Sequence, residues 1–369
     1  MKLNRREMLK VSASALGGMV LGGSAVPAFG NTPPRESSSD PAQRNSFFDS
    51  LPEFPLGEPL DPNEMRITFL GSSCIPRLSQ ECNSVYIEVG SGDQFVFDCG
   101  TGVAAKYNAM GIPMRNMNKI FLTHLHADHF LGITGLLRTM GLQDRTEPIR
   151  LWGPTGSAAV LDQTVHLGVE RVPFPVQIGE LEPQQRVARD GYDVVAYATQ
   201  HGTRSLGYAL VEHDRLGRFD VAKARALGVP EGPLFGQLHR GLAVQVGDRT
   251  VTAEEVVGPP RPGRRVVYTG DSRPCRTTAE MAHDADLLVH DATFGAEEAD
   301  RARATGHATA GEAAEVARRA GARRLVLTHL SARYAEDARP LEKEAREIFS
   351  GAVVAYDGLV VEVPFADAE

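Results

Sequence analysis

Residues 123–129 read THLHADH and bring four groups able to bind a metal, His124, His126, Asp128 and His129, into one short stretch. Imidazole and carboxylate ligands together suit zinc, and also manganese or iron. The run differs from the helical HExxH arrangement, whose two histidines stand four apart on one helix face. Here KIFL before it is β-rich and FLGITGLL after it is helical, so a strand-to-helix turn can fan the four side chains outward. The apolar flanks also argue against a solvated histidine-rich loop, because unpaired imidazoles and a carboxylate are costly in a packed turn. Further ligands must come from elsewhere in the chain. His201 follows VVAYATQ, Asp271 follows RRVVYTG and His329 follows RLVLT.

These residues share a position as well as a type. The runs KIFLTH, YATQH, YTGD, VHD and VLTH are all β-rich and all end in His or Asp. Strands that deliver their ends to one edge of a sheet can converge side chains on rigid supports. From Met65 onward, short β-rich runs alternate with helical stretches such as 129–140 and 310–320. The second helix opens on a Thr309–Glu312 capping box. This pattern predicts an α/β protein with sheets covered by helices, in one catalytic domain spanning 63–369.

The first 62 residues read differently. Arg5 and Arg6 precede an Ala/Gly-rich apolar stretch that ends in small residues at Val26-Pro27-Ala28, the pattern of a twin-arginine signal peptide over 1–28. Its weak, glycine-interrupted hydrophobicity favours that reading over an uncleaved anchor, so no stable membrane insertion is expected after cleavage. Residues 29–62, without apolar period, read as a flexible linker. The expected location is therefore exported, periplasmic or extracellular. Removing 1–28, with its four basic residues against one acidic, would take the net charge of −8 down by 3 to −11. Such a balance argues against non-specific nucleic-acid binding, although a local basic patch is compatible with it. Cys74, Cys82, Cys99 and Cys275 show no CxxC spacing. An oxidising compartment would permit a Cys74–Cys82 bridge, but buried free thiols are the simpler expectation.

One stretch stands apart. Residues 232–241, GPLFGQLHRG, combine three glycines and a proline with a basic end, a composition that argues against a regular helix. The stretch lies within a glycine- and proline-rich segment at about 213–262, between His201 and Asp271. Within 213–240, Arg215, Arg218, Lys223, Arg225 and Arg240 stand against Asp214, Asp220 and Glu231, a local balance of +2.

THLHADH, with the later His201, Asp271 and His329, resembles the metallo-β-lactamase superfamily. The resemblance implies a four-layer αββα sandwich with a two-metal site on one edge. It assigns His124, His126 and His201 to one zinc, Asp128, His129 and His329 to the other, and Asp271 to a bridge between them. A water made acidic by two such metals supplies a bridging hydroxide at neutral pH, and Asp128 would orient it or take its proton. The flanking blocks MRITFLGSS, FDCGTG, TGDSRPC, HDATF, GHATAGEAAEVA and LTHLSARY are similar to ribonuclease Z, the tRNA 3′-processing endonuclease. The similarity runs from about Met65 to Pro364. It implies phosphodiester hydrolysis, with Asp291 and His307 as a carboxylate–histidine pair serving the leaving group and Arg333 on a substrate phosphate. It also implies that 213–262 is a protruding arm that grips RNA, with His239 where the family has lysine. A homodimer is compatible with it. The alternative is a small-molecule ester hydrolase, such as an arylsulfatase, on the same scaffold.

Overall fold

The structure, a computed structural model, describes residues 60–77 and 79–366. The proposed signal peptide, and the linker as far as residue 59, lie outside the described residues. The strands are β1 (Met65–Gly71), β2 (Ser84–Val89), β3 (Gln94–Phe97), β4 (Lys119–Phe121), β5 (Ile149–Pro154), β6 (Val176–Leu181), β7 (Arg186–Ala188) and β8 (Tyr192–Ala198), followed by β9 (Leu206–Glu212), β10 (Val244–Val246), β11 (Arg249–Val251), β12 (Arg265–Tyr268), β13 (Leu287–Asp291), β14 (Leu325–Thr328), β15 (Ala352–Val354) and β16 (Val360–Glu362). They form two mixed seven-stranded sheets, ordered β16-β1-β2-β3-β4-β5-β6 and β15-β14-β13-β12-β9-β8-β7, and a small β10–β11 hairpin.

Side-chain alternation explains the layers. In β3, Phe95 and Phe97 point into an apolar cluster shared with Tyr208, Tyr268 and Val289 of the other sheet, while Val96 points the opposite way. That central cluster glues the sheets face to face. A second cluster packs the first sheet against the helices Val103–Ala109 and Gly132–Leu142 through Val103, Ile133, Leu136, Leu137 and Met140. A third packs the other sheet under the helices Ala310–Ala320 and Arg339–Ile348 through Ala313, Ala314, Ala317, Leu341 and Ala345. Three apolar interfaces stacked in this way make four layers, α, β, β and α, as the family resemblance implies. The expected Thr309–Glu312 capping box is present in both of its halves.

The sheets are also tied by charge at the end away from the site. Asp93, in the β2–β3 turn, accepts hydrogen bonds from Lys119, from Arg189 Nε at 2.9 Å and from Tyr192 Oη at 2.7 Å. Burial raises the Asp93 pKa, but the three donors and the Lys119 charge outweigh it and hold the group below its ordinary value. Alanine at this position would leave the buried Lys119 without its counter-charge. Asp93→Ala is expected to cost about 3 kcal/mol of folding stability in urea unfolding at pH 7. The carboxylate's contribution is complete above its unfolded pKa of about 4 and is lost as pH falls through the lower folded value. The gap between the wild type and Asp93→Ala should therefore narrow in acid.

Residues 213–262 form an insert between β9 and β12 with an apolar cluster of their own: Ala224, Val229, Leu238, Val244, Val251 and Val256. Its two ends run side by side, bridged at Arg215–Arg261 and Phe219–Val257. They approach so closely at Gly217 that a Cβ there would lie 1.9 Å from the Gly258 carbonyl oxygen. The expectation for GPLFGQLHRG is corrected here, because Pro233–His239 is a helix. Proline occupies its first turn, where no N–H is needed, and the positive-φ glycines Gly232 and Gly241 stand outside it. Leu238 anchors it in the insert's core. His239 turns inward and shares a hydrogen bond with the Gly217 carbonyl at 2.9 Å.

Candidate metal centre and proton donor

Parallel pairing of β3 with β4, and of β12, β13 and β14 with one another, sends their C-terminal ends to one edge of the sandwich. All seven residues expected as metal ligands meet there. His124, His126, His201 and Asp271 present donor atoms within 4.8 Å of one another, and Asp128, His129 and His329 do the same. Asp271 belongs to both neighbourhoods. Its carboxylate lies 3.1 Å from His129 Nε2, 3.2 Å from His329 Nε2, 3.6 Å from His124 Nε2 and 3.7 Å from His201 Nε2. The preceding Gly270 has φ +57, and a Cβ there would meet the Thr123 side chain at 2.6 Å, so glycine lets the Asp271 turn pack against the THLHADH turn.

The outer partners of the imidazoles decide which nitrogens stay bare. His201 Nδ1 faces the Gly306 carbonyl at 2.9 Å, which can only accept, so this nitrogen carries the hydrogen. Thr123 Oγ1 donates to Asp98 and must therefore accept from His124 Nδ1, 3.0 Å away. Thr293 Oγ1 donates to Asp291 at 2.7 Å and accepts from His329 Nδ1 at 2.8 Å. His129 Nδ1 lies 2.8 Å from Asp98 directly. In each neutral ring Nε2 is then a lone pair, and these lone pairs point at one another. His126 Nδ1 sits 3.0 Å from His124 Nε2 and 3.2 Å from His201 Nε2. His129 Nε2 and Asp271 Oδ1 are buried without any hydrogen-bond partner. Converging bare nitrogens, four of them fixed from behind, together with the Asp271 and Asp128 carboxylates are the arrangement that a divalent cation satisfies. The residues present fit a metal.

Asp98 and the two threonines are functional residues that the sequence reading did not single out. Asp98 is fully buried, holds His129 directly and His124 through Thr123, and also accepts from Tyr268 Oη at 2.6 Å. Asp291 repeats the pattern with His307 directly and His329 through Thr293. Asp98 and His329 both have positive φ, +58° and +62°, an uncommon backbone state for residues other than glycine. Here it lies at the site itself. The signal for Asp98 was available, since it follows QFVF as the other site residues follow their strands.

Asp291 and His307, the pair that the resemblance assigns to the leaving group, are also in contact. His307 Nδ1 is 2.8 Å from Asp291 Oδ2, although the family usually has the longer Glu at that position. His307 stacks on His329 with ring centroids 5.1 Å apart and lies 3.9 Å from Asp271. Burial lowers its pKa, but the Asp291 carboxylate, by charge and by hydrogen bond, outweighs this and holds it at about 9. His307 is therefore protonated at neutral pH. Asp128 is the most open of the seven metal-cluster residues apart from His126. Its Oδ2 lies 3.1 Å from His329 Nε2 and 3.6 Å from His129 Nε2, facing the bare nitrogens of both rings. Arg333 stands apart from the cluster, half exposed and 3.4 Å from Glu298. All four cysteines are free thiols. Among the described residues no helix is long and apolar enough to cross a membrane.

Two family models match the chain. A beta-lactamase superfamily domain covers residues 240–330, and the Anti-Pycsar protein Apyc1 model covers 65–211. Ribonuclease Z of Myxococcus xanthus is 51% identical over 306 residues, which is 82% of this chain and 99% of that protein. Ribonuclease Z of Haloferax volcanii is 50% identical, covering 83% and 97%. Among solved structures, human tRNase Z, short form, superposes with a TM-score of 0.59 at 24% identity over 81% of this chain and all of that one. The metallo-beta-lactamase fold protein YhfI from Bacillus subtilis gives 0.58 at 20% identity, over 81% and 99%. The relatives correct one expectation. The two relatives align through 97–99% of their own length with 82–83% of this chain. The signal peptide and the periplasmic location read from residues 1–28 are not supported by the family.

Proposed function

The chain belongs to the ribonuclease Z family of the metallo-β-lactamase superfamily, a family of metal-dependent phosphodiesterases, and from that premise we propose that it removes 3′ extensions from tRNA precursors. The observation that carries the proposal is the set of converging bare nitrogens around Asp271, with the Asp291-bonded His307 beside it. His124, His126 and His201 would hold one zinc ion and Asp128, His129 and His329 a second, with Asp271 facing both. When bound, such ions neutralise charge developing on the phosphoryl oxygens and make a bound water acidic.

The chain's own residues account for the proton movements. Asp128, a carboxylate at the open side of the cluster, orients the attacking water and accepts its proton. As the water oxygen bonds to phosphorus, the bond from phosphorus to the ribose oxygen breaks. That oxygen is a poor leaving group unless it gains a proton, and His307 supplies one from its imidazolium while Asp291 stabilises the charged ring beforehand. Asp98 and Asp291 keep the ligand imidazoles in the tautomer that leaves Nε2 bare. On the insert, Arg218, Lys223, Arg225 and Arg240 are exposed and supply the positive groups that hold the RNA away from the cut, with Arg333 as a further phosphate contact.

Metal analysis combined with a substrate panel tests this proposal. The reconstituted protein should bind two metal equivalents and hydrolyse bis(p-nitrophenyl) phosphate, and a chelator should abolish the activity. Turnover of aryl sulfates with phosphodiesters untouched would replace it with the small-molecule hydrolase reading.

A further inference from the structure

We propose that Arg273 and Glu312 form a positioning pair whose task is to hold His307 in place for proton donation. The inference rests on the proposed phosphodiester hydrolysis. His307 sits on the short connection from Gly306 to Thr309, between the helices Ala299–Thr305 and Ala310–Ala320. Its imidazole bonds Asp291 and its backbone N–H donates to the Ala302 carbonyl at 2.8 Å, so the carbonyl side of the residue is what still needs an anchor. The Arg273 guanidinium supplies it. Nη1 donates to the His307 carbonyl at 2.6 Å, and the same nitrogen reaches Glu312 Oε2 at 2.7 Å while Nη2 reaches Oε1 at 2.5 Å. The Glu312 carboxylate also accepts from Thr309 N at 2.9 Å, the last residue of the connection. One ion pair thus grips the loop at His307 and at Thr309.

The pair joins this loop to the rest of the centre. Arg273 follows Asp271 by two residues, and its backbone N–H donates to the Gln200 carbonyl at 2.7 Å, next to His201. The Gly306 carbonyl accepts from His201 Nδ1 at 2.9 Å. A Cβ on Gly306 would approach His201 Nδ1 to 3.1 Å, so the two loops are in close contact. His201 has a second anchor in the proposed metal, whereas His307 is held by Asp291, by ring contacts with His329 and His201, and by this loop. The guanidinium is suited to the task because its planar fork serves a carboxylate and a carbonyl together, which a lysine ammonium does with far less directional control. Misplacing a catalytic group by about 1 Å is enough to cost roughly 10²-fold in rate.

The experiment compares Arg273→Lys, Arg273→Met and Glu312→Gln with wild type on two substrates, a tRNA precursor and bis(p-nitrophenyl) phosphate. Bound metal and amide hydrogen exchange of 306–309 are measured alongside. p-Nitrophenolate departs without protonation, so a defect in His307 placement appears on RNA alone. Turnover of RNA is expected to fall about ten- to a hundredfold in each variant with KM unchanged. Aryl ester turnover should change less than about twofold, two metals should remain, and exchange at 306–309 should quicken. Equal losses on both substrates, wild-type RNA turnover in Arg273→Met, or unchanged protection of 306–309 in that variant would each overturn the pair's role. If wild type cleaves neither substrate, the proposed function fails, and the exchange measurement still decides whether Arg273 and Glu312 hold the loop.

Discussion

Replacing Asp271 with alanine should lower phosphodiester turnover by about 10³-fold or more, equivalent to about 4 kcal/mol of transition-state stabilisation, and should reduce bound metal below two equivalents. The reason is position. Among the described residues, Asp271 is the acid common to the group with His124, His126 and His201 and the group with Asp291, His307 and His329. Burial raises its pKa, but the surrounding histidines, His129 first, outweigh this and hold it far below the ordinary carboxylate value. Its charge is what lets so many imidazoles crowd together. Alanine removes that charge and leaves His129 Nε2 and His329 Nε2 facing a void. Asp271→Asn keeps the volume and one acceptor oxygen but loses the charge, and it should lose nearly as much activity. Elemental analysis with bis(p-nitrophenyl) phosphate kinetics checks both variants. Wild-type metal content with more than a tenth of wild-type turnover in Asp271→Ala would refute a shared role for this carboxylate.

His307→Ala should separate two reactions proposed for the one site. On RNA the departing ribose oxygen needs a proton, and loss of a positioned general acid should cost about 10³-fold, within the usual range for such groups. On bis(p-nitrophenyl) phosphate the departing phenolate is stable as an anion, so the same variant should stay within about fivefold of wild type. The contrast follows from geometry. His307 borders the cluster at 3.9 Å from Asp271, and its Nδ1 is committed to Asp291 at 2.8 Å. Nε2 then remains to face the substrate. A parallel fall on both substrates would instead make His307 part of the metal-holding framework.

Most of the centre was legible in the sequence because its residues obey one rule, a His or Asp at the end of a β-rich run. That rule located His124, His201, Asp271, Asp291 and His329, and strands alternating with helical stretches such as 310–320 indicated sheets covered by helices, while the four-layer order came from the family resemblance. Applied without exception it would also have found Asp98. Other features left no such mark. Thr123 and Thr293 matter because each hydroxyl stands between a carboxylate and an imidazole, a relation that exists only after folding. Arg273 and Glu312 are 39 residues apart and meet through the packing of the helix Ala310–Ala320. The helix Pro233–His239 was missed because glycine and proline were counted rather than located, and both are harmless at helix ends. The arginines of residues 5 and 6 illustrate the converse, a local pattern pointing to export that the ribonuclease Z relatives do not support.

The most direct test of the account is cleavage of a tRNA precursor carrying a 3′ extension by the full, metal-reconstituted chain, with the products mapped at single-nucleotide resolution. The account predicts one metal-dependent cut at the 3′ side of the tRNA body, abolished by chelation and by Asp271→Ala. Intact precursor in the presence of protein that carries two metals and hydrolyses bis(p-nitrophenyl) phosphate would contradict it.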